Sequence, residues 1–287
     1  MHGTGVPLVT PFDESGAVDE AKLRDLVGWL EDRGVDFLVP CGSTGEAPLL
    51  SVEEATRVVE VVAGAAGVPV LAGTGRPGLR ETRRATRLAA EAGADAALVV
   101  TPYYYGYDAD AVAAHYRALA DDSPVPVYLY SVPKFTGTAL APRTVEALAG
   151  HAGIAGMKDS SGDLDAFQRT RTLAPSLDLL VGHGGLYAHA LDAGADGGVL
   201  AVANAAPEVA ARIHERHGAG DEAGARALNR DLLELNRAIT ARHGVPGAKA
   251  ALRLRGAPAG RPRRPFEPVD DGAEREIEAL LAELDLV

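Results

Sequence analysis

The chain has 287 residues, 47% hydrophobic and 24% charged, with a formal net charge of −12, which suits one large globular domain with or without a short appendage. A field of that sign repels nucleic acid and anionic membrane, so neither is an expected partner, while a small anionic substrate responds to its local pocket and stays open. One cysteine, Cys41, excludes an intrachain disulfide. The first ten residues lack the basic-then-apolar pattern of a signal peptide, and no apolar run approaches the ~18 residues of a membrane span, so a cytoplasmic protein is expected.

Along the chain, short β-branched apolar runs alternate with longer amphipathic stretches. Strands are predicted over residues 5–9, 37–40, 68–72, 96–100, 125–130, 154–157, 179–181 and 197–200. Helices are predicted between them over 20–32, 52–65, 80–92, 109–120, 142–149, 164–173, 185–193 and 207–217, with Ser51-x-x-Glu54 as a capping box and Gly34, Gly93 and Gly194 at helix ends. Eight strand–helix pairs call for parallel strands and right-handed crossovers, and a closed (β/α)₈ barrel over residues 1–220 accommodates them better than an open doubly wound sheet. Residues 221–287 read as a C-terminal helical subdomain with helices over 222–242, 246–254 and 273–285. The Gly-, Pro- and Arg-rich run 255–265 between the last two reads as a solvated connector rather than a nucleic-acid arm.

Active sites of such barrels lie at the C-terminal ends of the strands. Four polar clusters fall there: Gly42-Ser43-Thr44-Gly45-Glu46, Thr101-Pro102-Tyr103-Tyr104-Tyr105, Tyr130-Ser131-Val132-Pro133 and Lys158-Asp159-Ser160-Ser161. Lys158 is one of only four lysines, the others being Lys22, Lys134 and Lys249, and it directly follows an apolar strand. Partial burial there disfavours the ammonium, and a neutral amine can attack a carbonyl, which arginine cannot do. A structural alternative is a Lys158 paired with Asp159 or a helix end. Tyr130, on the neighbouring strand, offers a phenol for the proton transfers of Schiff-base chemistry, and Ser43 and Tyr104 can pass protons on to solvent. Packing at a subunit contact is the alternative role for Tyr103–Tyr105.

Other motifs carry less. Gly73-Thr74-Gly75-Arg76-Pro77-Gly78 matches a dinucleotide fingerprint but lacks the acidic residue at a later strand end. His214 and His217 share a helix face with no third metal ligand in view. Ser43 lacks the first glycine of a hydrolase elbow. No metal or cofactor is expected.

Taken together, Val9-Thr10-Pro11-Phe12, Gly42–Glu46, Thr101–Tyr104, Tyr130–Pro133, Gly156-Met157-Lys158-Asp159 and Ala203-Asn204 resemble the dihydrodipicolinate synthase/N-acetylneuraminate lyase family, over essentially the whole chain. The resemblance implies a pyruvate-type Schiff base on Lys158 and a proton relay of Ser43, Tyr104 and Tyr130, with Tyr104 reaching into a neighbouring subunit of a homotetramer built as a dimer of dimers. It also implies that the backbone N–H groups of Ser43 and Thr44 hold the 2-oxo acid carboxylate, in keeping with a following helix N-terminus, and that the main chain near Val199 forms a pocket wall. An aldehyde is the implied second partner.

Three stretches, residues 129–133, 197–204 and 242–247, resemble 4-hydroxy-2-oxoglutarate aldolases. The lysine-pathway synthases place an arginine for the aldehyde's carboxylate where this chain has Phe135, although the adjacent Lys134 could compensate. His183, after the seventh strand, either touches the second substrate or is hydrogen-bonded at the rim. The expectation is a metal-independent class I aldolase acting on 4-hydroxy-2-oxoglutarate or a similar 2-oxo acid. The synthase and other 2-keto-3-deoxy sugar acid aldolases or dehydratases are the alternatives. A non-catalytic 2-oxo acid sensor has no need of the relay, and a phosphate- or flavin-binding barrel finds only a partial cradle in residues 182–185 and 200–204.

Overall fold

A computed structural model describes all 287 residues. Its eight strands are β1 (Gly3–Val6), β2 (Phe37–Leu38), β3 (Leu71–Gly73), β4 (Ala96–Val100), β5 (Val127–Ser131), β6 (Ile154–Asp159), β7 (Asp178–Val181) and β8 (Gly197–Val199). They are all parallel in the order β2-β1-β8-β7-β6-β5-β4-β3. A parallel bridge from Leu38 to Val70 and a 2.9 Å hydrogen bond from the Leu38 N–H to the Pro69 carbonyl close the ring. The fold is the expected (β/α)₈ barrel.

Period-2 alternation divides the buried residues between two cores. Tyr128 and Tyr130 of β5, Leu98 of β4, Leu180 of β7 and Val199 of β8 fill the barrel interior. Val127, Leu129, Val99 and Met157 point outward into the larger layer between barrel and helices. The same alternation turns Lys158 inward and Asp159 outward. Around the barrel run α1 (Glu20–Glu31), α2 (Val52–Ala65), α3 (Leu79–Glu91), α4 (Ala109–Asp122), α5 (Pro133–Thr136), α6 (Pro142–Ala149), α7 (Leu164–Leu173), α8 (Tyr187–Asp192) and α9 (Pro207–Gly218). Ser51 caps α2 as anticipated: its hydroxyl accepts from the Glu54 N–H at 3.1 Å and the Glu54 carboxylate accepts from the Ser51 N–H at 3.0 Å.

Several boundaries differ from expectation for identifiable reasons. β1 stops at Val6 because Pro7 has no N–H, and Val9 donates instead to the Asn204 side chain at 3.1 Å. The helix expected over 185–193 opens as a 3₁₀ turn, Gly184–Leu186, before α8. The single helix expected over 222–242 is three pieces: α10 (Glu222–Asp231), α11 (Leu233–Arg237) and a π-turn, Ala238–Arg242. There the Thr240 hydroxyl donates back to the Asn236 carbonyl at 2.6 Å, a bond that bends helices. α12 (Gly244–Leu254) and α13 (Asp271–Ala282) complete the chain.

The connector 255–265 is not simply solvated. The Arg255 guanidinium bonds Glu208 and stacks 5.1 Å from the Trp29 ring, and Arg263 pairs with Glu54 beneath Phe12. Both arginines have a partly buried carboxylate-and-aromatic niche that sequence spacing does not reveal. No helix is long and apolar enough to cross a membrane.

Candidate active site

β6 runs two residues beyond its expected end, so Lys158 lies within the strand, 5% exposed and opposite Tyr130 in the β5–β6 register. Its ammonium sits 4.3 Å from the centre of the Tyr130 ring. Asp159 faces the other way. Its carboxylate accepts from the Ser161 N–H at 2.7 Å, and burial raises its pKa. The alternative of a Lys158–Asp159 pair is therefore excluded, and Lys158 makes no ion pair at all.

The Tyr130 phenol has burial acting to raise its pKa, but the Lys158 charge and hydrogen bonds with Ser43, Ser160 and Lys158 outweigh it, so the pKa falls below the ordinary tyrosine value. A phenol so held gives up and regains a proton more readily.

Lys158 opens into a cavity of about 270 Å³. Ser43, Thr44, Tyr130, Val199, Phe135 and His183 all line it, bringing together every site residue expected from sequence except Tyr104. His183 stands exposed at the rim. Phe135 is 63% exposed, with the Lys134 ammonium 5.5 Å from its ring centre. Tyr104 lies outside the cavity, 86% exposed, in left-handed backbone (φ 82°) and edge-on to Tyr105.

The Ser43 and Thr44 N–H groups make no hydrogen bond within the chain and are free to hold an anion. The helix that follows them, α2, begins at Val52 as expected but not directly behind the loop. Glu46 turns left-handed and a 3₁₀ turn follows at Ala47–Leu49, so any anion affinity belongs to the loop itself. Asn204 is fully buried and braces β1 through Val9, Pro7 and Ala201, which makes it scaffold.

Sequence reasoning missed four contributors. Ser160 shares the inward face with Lys158, where its buried hydroxyl helps to lower the Tyr130 pKa; the alternation Lys158, Ser160 could have found it. Gly182 leaves the space beside them: a Cβ there would lie 1.8 Å from Ser160 Oγ and 2.8 Å from Lys158 Cε. Asn236 and Thr240 complete the wall from the C-terminal helices, where no sequence signal marks them. A second cavity of about 460 Å³ adjoins the first, sharing Ser43, Tyr130 and Phe135 and extending to Glu46, Arg76 and Phe266.

His214 and His217 are not brought together with further ligands. His217 pairs with Asp192 at 3.2 Å, and nowhere do three or more His, Cys, Asp or Glu side chains converge to hold a metal ion.

Comparison with known proteins agrees with this geometry. Residues 1–284 match the model of the dihydrodipicolinate synthetase family. The whole chain is 40% identical to an uncharacterized DapA-like lyase of Halobacterium salinarum, covering 95% of it. It is 37% identical, over 99% of its length, to the 4-hydroxy-tetrahydrodipicolinate synthase of Methanothrix thermoacetophila, of which 97% is covered. Among solved structures it matches the chloride-inhibited dihydrodipicolinate synthase of Acinetobacter baumannii complexed with pyruvate, with TM-score 0.95, 32% identity, and coverage of 100% of this chain and 99% of that one. A prophage protein of the same family from E. coli K12, in complex with pyruvate, gives TM-score 0.95 at 29% identity, with the same coverage. Several of the curated names are those of synthases, the alternative rather than the first choice from sequence. The chain belongs to the dihydrodipicolinate synthetase family, whose members are carbon–carbon lyases of the class I aldolase type.

Proposed function

We propose that the protein cleaves or forms a C–C bond of a 2-oxo acid through a Schiff base between pyruvate and Lys158. One observation carries the reading. Of the four lysines, Lys22 is exposed and paired with Asp19, Lys134 is exposed, and Lys249 is buried against Glu46. Lys158 alone is buried, unpaired and open to a cavity.

In the proposed sequence the Lys158 amine attacks the 2-oxo carbon and loss of water gives the protonated imine. The C3–C4 bond breaks, its electron pair moves into the imine to form an enamine, and the aldehyde departs. Protonation of the enamine and hydrolysis release pyruvate and regenerate the amine. Tyr130 passes the protons, with Ser43 and Tyr104 of a neighbouring subunit continuing the relay, and the Ser43 and Thr44 N–H groups hold the carboxylate. The extreme exposure and left-handed backbone of Tyr104 suit a residue used by a second copy in a homotetramer.

For the second substrate, the apolar ring of Phe135 on the cavity wall favours a 4-hydroxy-2-oxoglutarate aldolase-like enzyme over a synthase that clamps its aldehyde's carboxylate with arginine. The names of the curated relatives, and Lys134 on the same wall, favour the synthase as the second reading. Product assays side by side with 4-hydroxy-2-oxoglutarate, N-acetylneuraminate, 2-keto-3-deoxygluconate, and pyruvate plus aspartate semialdehyde decide between them. Preferential cleavage of 4-hydroxy-2-oxoglutarate is expected. A preference for aspartate semialdehyde that Lys134→Ala abolishes establishes the synthase instead.

A further inference from the structure

The Ser43–Thr44 loop is held in an improbable shape by a buried charge pair that no catalytic step uses. Two of its non-glycine residues are left-handed, Cys41 (φ 57°) and Glu46 (φ 59°), and such residues persist only where their surroundings over-determine them. The Glu46 carboxylate is fully buried. Its Oε1 lies 2.6 Å from Lys249 Nζ, and its Oε2 accepts from the Arg263 N–H at 2.8 Å.

Lys249, on α12 and fully buried, also donates to the carbonyls of Thr10 and Arg261, each at 2.6 Å, beside its ion pair with Glu46. The Thr10 hydroxyl in turn donates to the Gly45 carbonyl at 2.7 Å. A continuous set of polar contacts therefore runs from α12 through Lys249 to Glu46 and, by way of Thr10, to Gly45, the two residues that follow Thr44. Glu46 lines the adjoining 460 Å³ cavity and not the one that holds Lys158, so the pair stands behind the loop rather than beside the reacting atoms.

A buried ion pair is a poor device for stability, since a matched apolar pair does as well, but it fixes geometry in a directional way. We propose that Glu46 and Lys249 are a positioning pair that aims the free N–H groups of Ser43 and Thr44 at the substrate carboxylate. This rests on the Schiff-base reading above. A pair that merely anchored α12 would affect every substrate alike, whereas a positioning pair matters to a carboxylate and not to the same ketone without one.

The test compares cyanoborohydride trapping at Lys158 by pyruvate and by methyl pyruvate, the uncharged ester, in wild type, Glu46→Gln, Lys249→Met and the double variant. The double variant strands no buried charge and so keeps the experiment open if a single variant folds poorly. The half-saturating pyruvate concentration should rise about tenfold in each variant, as expected when charge-assisted N–H bonds are misaimed, while that of methyl pyruvate changes less than twofold. The preference of one ketone over the other is independent of how much protein is folded. Variants that retain the wild-type preference, or that lose both ketones equally, overturn the positioning role. Absence of any Lys158 adduct in the wild type is a separate result that removes the Schiff-base reading and the proposal with it.

Discussion

The space beside Lys158 exists because residue 182 is glycine, and adding one methyl group there is the sharpest perturbation of the site that leaves every candidate side chain in place. In Gly182→Ala the new Cβ falls 2.8 Å from Lys158 Cε and 1.8 Å from Ser160 Oγ. Carbon atoms in contact prefer about 3.5–4.0 Å, so the lysine tip must retreat by roughly 1 Å while Ser160 rotates away. A 1 Å misplacement of a reacting group costs on the order of 100-fold in rate, and overpacking of this kind costs about 1–3 kcal/mol of stability. The assay is exchange of the pyruvate methyl protons in deuterated water, which reports imine and enamine formation without needing the aldehyde, run beside a thermal melt. Gly64→Ala is the control: it lies in α2 with nothing within 4 Å of the new Cβ, and it should leave exchange unchanged while adding about 0.5–1 kcal/mol. A folded Gly182→Ala protein that exchanges at the wild-type rate refutes the placement of Lys158 at the reacting centre.

Tyr130→Phe keeps the ring but removes the proton donor, so kcat should fall by roughly 10²–10⁴ with pyruvate binding less affected; near-wild-type turnover removes Tyr130 from the mechanism. Because neighbouring groups hold the Tyr130 pKa below its ordinary value, the alkaline limb of the kcat/KM profile should lie below that of a free phenol and shift upward in Ser43→Ala, which loses one hydrogen bond to the phenolate; an unmoved limb disconnects the two residues. If Tyr104 serves a neighbouring subunit, mixed oligomers of inactive Tyr104→Phe and Lys158→Ala chains should regain activity, and mixtures as inactive as their parents contradict that. Activity abolished by EDTA and restored by zinc or magnesium contradicts imine chemistry and returns attention to His214 and His217.

The fold was legible because period-2 and period-3.6 patterns alternate without interruption, and because polar residues cluster after the strands where a barrel opens. Lys158, Tyr130 and Ser43 could be placed together from those rules, whereas Thr44 and Val199 entered only through the family resemblance. What escaped was set by long-range contact. The break at Leu232 and the π-turn that brings Thr240 to the cavity follow from packing on the barrel, which leaves no local trace in an amphipathic stretch. No local signal marks Lys249, since its partners Glu46, Thr10 and Arg261 are scattered through the chain. Arg255 and Arg263 sat in a run whose composition suggests solvent, but carboxylates from α2 and α9 and aromatic rings from α1 and the loop at Phe12 receive them. Ser160 was within reach, because it lies two residues from Lys158 on an inward-facing edge.

The most direct measurement is borohydride reduction of the protein in the presence of pyruvate, followed by peptide mapping. A pyruvate-derived adduct on Lys158, absent without borohydride, is the expected result. An adduct on Lys134 or Lys249 with Lys158 untouched, or no adduct on a folded protein, contradicts the Schiff-base assignment.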